Sequence, residues 1–166
     1  AASDVYKRQT QLSEIAHDEG IPLIIDNTMA TQAMCQPANY GADIIIYSTT
    51  KFLSGHGNAM GGCVVDTGKF DWANNRGFEK LNEPDTSYHG IKFYETFGNL
   101  AYINFCHACA LRDLGTTMSP FNAYLTLTGI ETLNLRMQKH MSNAEKVANF
   151  LIKHNNVDNV SWSGFQ

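Results

Sequence analysis

At 166 residues, 43% of them hydrophobic and 17% charged, the chain has the size and composition of one ordinary domain with a packed core. A net charge of -4 and a pI near 5.8 give no basic footprint for nucleic acid. No apolar run reaches the length of a membrane span, no signal peptide opens the chain, and four scattered cysteines do not make a secreted disulfide scaffold. A reducing, cytoplasmic setting is the expectation.

Residues 1–9, Ala1 to Gln9, show no clear periodicity and are set aside as a doubtful segment, a possible scar of sequence assembly. Thr10 to Glu19 reads as a helix, with Leu12, Ile15, Ala16 and Glu19 at helical spacing and Gly20 just past its end. Ile21 to Thr28 then supplies a short apolar run that closes on Asp26, with Pro22 at the strand start, where no ladder donor is needed. Met29 to Tyr40 predicts a short helical connection broken before Pro37. Ile44 to Tyr47 reads as a second buried parallel strand, and Gly61 to Asp66 as a third that returns toward it.

Thr67 to Gly90 loses periodicity and gains turn residues, so a long loop is expected there, a place where function often sits. Phe97 to Leu114 predicts a helix ended by Gly115. Ser119-Pro120 has the signature of a helix start, and Ile130 to His154 carries a long helical pattern. Val157 to Trp162 reads as the first strand of a following domain.

The chemistry concentrates at two strand ends. Ser48-Thr49-Thr50-Lys51 follows the second strand directly, and a glycine-rich turn with Gly55, Gly57, Gly61 and Gly62 comes after it. Open α/β sheets place their ligands at the carboxyl ends of parallel strands. Hydroxyls there can donate to phosphate oxygens, and a lysine leaving an apolar strand is expected to be partly desolvated, which makes its amine a nucleophile for carbonyls. Such a lysine can hold pyridoxal phosphate as a Schiff base. Asp26 falls at the same sheet end, and a carboxylate there can pair with a protonated pyridine nitrogen. The two strand ends carry complementary halves of one site.

Asp26-Asn27-Thr28, Ser48-Thr49-Thr50-Lys51 and Gly55-His56-Gly57 together resemble the Cys/Met-metabolism family of pyridoxal-phosphate enzymes. The resemblance runs from about Thr10 to Gln166, with Thr49 where the family often has alanine. It implies Lys51 as the catalytic, Schiff-base lysine, Asp26 as partner of the ring nitrogen, Ser48 and Thr50 as phosphate ligands, pyridoxal 5'-phosphate as cofactor, and no metal. The implied fold is α/β, the large domain of an aspartate-aminotransferase-like transferase in part. Residues 10–131 would be the C-terminal part of the cofactor-binding domain, and 132–166 the start of a smaller C-terminal domain.

Full-length members are more than twice as long, so an internal fragment is expected, without the family's upstream phosphate loop, ring-stacking tyrosine or carboxylate-binding arginine. The implied parent is a cytoplasmic homo-oligomer, a tetramer, acting on an amino acid and sulfide, with no nucleic-acid or membrane partner. Glu83 to Gly90 and Leu111 to Gly115 resemble the branch that converts O-acetylhomoserine and sulfide into homocysteine and acetate. Cystathionine γ-synthase and methionine γ-lyase chemistry are the alternatives, as is a fragment without catalysis.

Other features have plainer readings. Cys106-His107-Ala108-Cys109 lacks the second pair that a zinc site needs, and two core cysteines on one helix face is the better reading. His56 either contacts cofactor or substrate or bonds to the backbone of its own turn. Tyr88 and Tyr94 either line a substrate entrance or pack.

Overall fold

The computed structural model describes residues 2–165, with side chains from residue 8 onward. Helix α1 (Ala2–Asp18) begins well before the Thr10 start expected from periodicity. Its end follows the expected chemistry. The Gly20 N–H donates to His17 O at 2.9 Å and the Ile21 N–H to Ala16 O at 3.0 Å, with Gly20 at φ +71. This crossed pair satisfies carbonyls that the helix itself leaves open, and only glycine takes the left-handed conformation without strain.

Three strands form one sheet in the order β1 (Ile24–Asp26), β2 (Ile44–Ser48), β3 (Gly62–Asp66). Strands β1 and β2 are parallel, with Ile24 opposite Ile44 and Asp26 opposite Ile46. The connection between them carries α2 (Thr31–Met34) and a 3-10 turn from Pro37 to Tyr40, because a parallel pair needs a crossover. Strand β3 returns antiparallel to β2, pairing Ile44 with Asp66 and Ser48 with Gly62. Asp43 fixes the start of β2: its Oδ2 meets His17 Nε2 at 2.7 Å and accepts the Leu23 N–H at 2.8 Å. One buried carboxylate thus ties α1 to the entry of both parallel strands.

The expected long loop contributes large side chains to the core. Phe70, Trp72 and Leu81 are buried, in one cluster with Ile44, Phe93, Ala101 and Cys109. Trp72 stacks on Tyr102 at 5.1 Å and 17°, and its indole N–H donates to Asn99 O at 3.0 Å. Apolar residues without helical or strand period still pack when a loop folds back on a sheet, and this segment contains only the short α3 (Glu79–Asn82).

The helix expected from Phe97 to Leu114 starts later, at Ala101, and runs to Leu114 through a π-helical turn. Helix α4 (Phe93–Phe97) ends at Gly98, whose φ of +57 reverses the chain. Helix α5 (Ala101–Phe105) then runs into a π-helical turn, Cys106–Leu111, and α6 (Arg112–Leu114), which stops at left-handed Gly115. Helix α7 (Pro120–Ile130) starts as expected, with Ser119 Oγ accepting the Asn122 N–H at 3.1 Å. Helix α8 (Leu133–Leu151) is separate from it. The strand expected over Val157–Trp162 does not form, since no described strand lies alongside to complete a ladder. Among the described residues no helix is long and apolar enough to cross a membrane.

Candidate functional site

Asp26 is the last residue of β1, and its side chain is exposed. The Thr28 hydroxyl and, next, the Thr28 N–H at 2.9 Å hold its carboxyl below the usual aspartate range. Thr28 also reaches the neighbouring strand, where its Oγ1 accepts the Ser48 N–H at 2.7 Å. A single hydroxyl therefore clasps the carboxyl ends of the two parallel strands and sets Asp26 and Ser48 side by side.

Ser48 closes β2, and the chain then leaves the sheet in a tight helical turn. The Lys51 N–H donates to Ser48 O at 3.3 Å, the Ser54 N–H to Thr49 O at 3.0 Å, and the Gly55 N–H to Lys51 O at 2.8 Å. Thr49 is buried and its hydroxyl lacks a partner. The Thr50 hydroxyl accepts the Gly61 N–H at 3.1 Å and faces Gly61 O at 3.4 Å, so it braces the entry to β3. Leu53 and, more loosely, Phe52 pack with Leu133 and Met137 of α8, which anchors the turn from below.

An open cavity of about 810 Å³ lies at this sheet end, with Asp26, Thr28, Tyr47, Ser48 and Cys63 in its wall. Lys51 borders a different cavity of about 350 Å³, together with Phe52, Arg136 and His140. Of the four expected residues, Asp26 and Ser48 are brought together, Lys51 opens on a second space, and Thr50 lines neither cavity. The expectation of a partly desolvated lysine is corrected, because Lys51 is exposed. The apolar run ends at Ser48, and the turn carries Lys51 past the last paired residue into solvent.

The plainer features resolve simply. His56 Nδ1 bonds to Ser54 O at 2.6 Å, so it holds its own turn. Tyr88 and Tyr94 pack against the aromatic core. Cys109 is buried, whereas Cys106 is half-buried beside the large cavity, and burial pushes its thiol up. Among the described residues no three His, Cys, Asp or Glu side chains gather as a metal site.

Two contributors were missed from the sequence. Thr28 was visible inside the Asp26-Asn27-Thr28 triplet, but its clasp depends on strand register. Arg136 lies far along the chain, and no local pattern links it to Lys51.

A parallel pair ending in a carboxylate and a hydroxyl, an antiparallel return, and helices packed beside them make a partial mixed α/β domain. The sequence pattern of the family described as "Cys/Met metabolism PLP-dependent enzyme" matches residues 8–166. O-acetyl-L-homoserine sulfhydrylase from Leptospira meyeri is 47% identical over 161 residues, covering 92% of this chain and 36% of that protein. Homocysteine synthase from Schizosaccharomyces pombe is 46% identical, covering 94% of this chain and 37% of that protein. A crystal structure from Campylobacter jejuni described as a "putative O-acetylhomoserine (thiol)-lyase" superposes with a TM-score of 0.86 at 38% identity. That match covers 93% of this chain and 38% of the other, whose structure contains a pyridoxyl-lysine monophosphate. The chain belongs to the Cys/Met-metabolism family of PLP-dependent enzymes. It spans a little over a third of the length of these relatives.

Proposed function

We propose that the complete protein containing this chain binds pyridoxal 5'-phosphate and converts O-acetylhomoserine and sulfide into homocysteine and acetate. The observation that carries this reading is the clasped pair of strand ends, where Thr28 holds both the Asp26 carboxylate and the Ser48 backbone at the wall of one cavity. The residues present fit the cofactor by their chemistry. They offer an ionised carboxylate, a hydroxyl on the cavity wall, a primary amine one turn away, and a buried Thr49 hydroxyl with no partner behind them. When bound, pyridoxal phosphate draws negative charge from the substrate's Cα into its ring.

The protein's own groups have distinct roles. Asp26, kept ionised by Thr28, holds a proton on the ring nitrogen through a charge-assisted hydrogen bond. Ser48 would donate to the phosphate, and Thr50, whose hydroxyl bonds to Gly61 here, would serve as the second phosphate ligand. Lys51 is the attachment point, and its amine, once free, takes the proton from Cα and moves protons at Cβ. The net change breaks the Cγ–O bond, forms a Cγ–S bond and passes one sulfide proton to acetate.

The sulfhydrylase branch is favoured over cystathionine γ-synthase or methionine γ-lyase chemistry by the Glu83–Gly90 and Leu111–Gly115 stretches and by the relatives' own activities. The same reading takes residues 10–131 as part of the cofactor domain and 132–166 as the start of the smaller one, in a cytoplasmic homotetramer.

Borohydride reduction of the complete protein with cofactor, followed by peptide mapping, should place the pyridoxyl group on Lys51. A label on another lysine sinks the assignment. Asp26→Asn should still bind cofactor but lose turnover by about tenfold or more, the scale of one charge-assisted hydrogen bond. The 166 residues alone should release no homocysteine, because Lys51 and Asp26 open on different cavities here.

A further inference from the structure

We infer that Arg136 is a positioning residue that holds the Lys51-bearing turn against the α7–α8 junction. This inference rests on the reading of Lys51 given above and concerns a residue to which that reading assigns no role.

The turn after Ser48 is a single helical loop, and such a loop leaves its last carbonyls without N–H partners. Arg136 meets them from the first turn of α8. Its Nη1 donates to Phe52 O at 2.8 Å, and its Nη2 donates to Gly129 O at 2.6 Å and reaches Leu53 O at 3.5 Å. Its Nε donates to Thr132 Oγ1 at 3.1 Å, which fixes the plane of the group. One guanidinium therefore joins the two residues after Lys51 to the end of α7. The fork is specific to arginine, since an ammonium cannot present fixed, diverging donors to carbonyls of two segments.

The surrounding glycines show that the fit is close. A Cβ at Gly129 would overlap the Ser54 carbonyl oxygen, and a Cβ at Gly55, where φ is +73, would overlap the Arg136 guanidinium. Leu53 and Ser54 are buried, so the far half of the turn is fixed while Lys51 stays exposed. The lysine thus pivots on a clamped base. Losing the clamp lets its Cα wander, and small displacements at a reacting group are costly in rate.

The test uses the complete protein and two independent readouts. The first is amide hydrogen exchange without cofactor. In Arg136→Ala, the amides of Ser54 and Gly55 should exchange about tenfold faster or more, while those of Ile45 and Ile46 in β2 keep their rates. The second is the rate at which added pyridoxal phosphate becomes attached to Lys51, followed by visible absorbance and borohydride trapping; it should fall by a similar factor. Arg112→Ala is the control, because Arg112 bonds to Asp113 and Ser87 instead. If Arg136→Ala does not fold, Arg136→Lys decides the matter, with the same direction of change expected.

Wild-type exchange at Ser54 and Gly55 overturns the inference. So does faster exchange with an unchanged attachment rate in a protein that is labelled at Lys51. A wild-type protein carrying no label at Lys51 defeats the functional reading, while the exchange data still decide whether Arg136 holds the turn.

Discussion

Two regions of the molecule differ in how completely they satisfy themselves. The segment from Phe70 to Cys109 closes on its own aromatic cluster, with Phe93 at 0% and Trp72 at 2% exposure. Helices α7 and α8 instead turn large apolar side chains outward, among them Phe121 at 68%, Leu127 at 65% and Phe150 at 64% exposure. Strand β2 therefore packs on a well-buried cluster through Ile44 and Ile46, whereas α7 and α8 keep large apolar side chains exposed.

The most severe test of this contrast is at Phe93, which sits 5.3 Å from Phe105 and 5.9 Å from Tyr88. Phe93→Ala should cost about 3–5 kcal/mol in denaturant unfolding of this chain. Phe121→Ala on the open face should change stability by only about 0.5 kcal/mol or less. Equal costs at the two positions would show that the regions are not distinct.

Acid probes the self-packed region separately. Asp85 is buried there; the Ser87 hydroxyl, then Lys80, hold its carboxyl down to about 2. A carboxylate depressed below its unfolded value of 3.8 adds stability that is present above that value and lost as pH falls through the folded one. The contribution should therefore fade between about pH 4 and pH 2, and Asp85→Asn should flatten that limb of the stability curve. An unchanged acid limb in Asp85→Asn contradicts the argument.

A smaller effect than those at Phe93 and Asp85 lies at the start of the open region. Ser119→Ala removes the cap on the Asn122 N–H and should destabilise α7 by about 1 kcal/mol, read as a lower unfolding midpoint. No loss there would mean that α7 is held by packing alone.

Local chemistry in the sequence was sufficient for the helix stop at Gly20, the helix start at Ser119-Pro120 and the three strands. Each of these depends on residues close in sequence or on the strict period of a strand. Only the tertiary structure turned the unperiodic Thr67–Gly90 stretch into core, because its aromatic residues pack by return contact rather than by repeat. It also moved the start of the expected Phe97–Leu114 helix past Gly98 to Ala101 and left Val157–Trp162 without a strand. The exposure of Lys51 was decided in the same way, as were the bonds of Arg136 to the Phe52 and Leu53 carbonyls, more than eighty residues away. A side chain's burial and its distant partners depend on how elements meet in space, and no local pattern encodes that meeting.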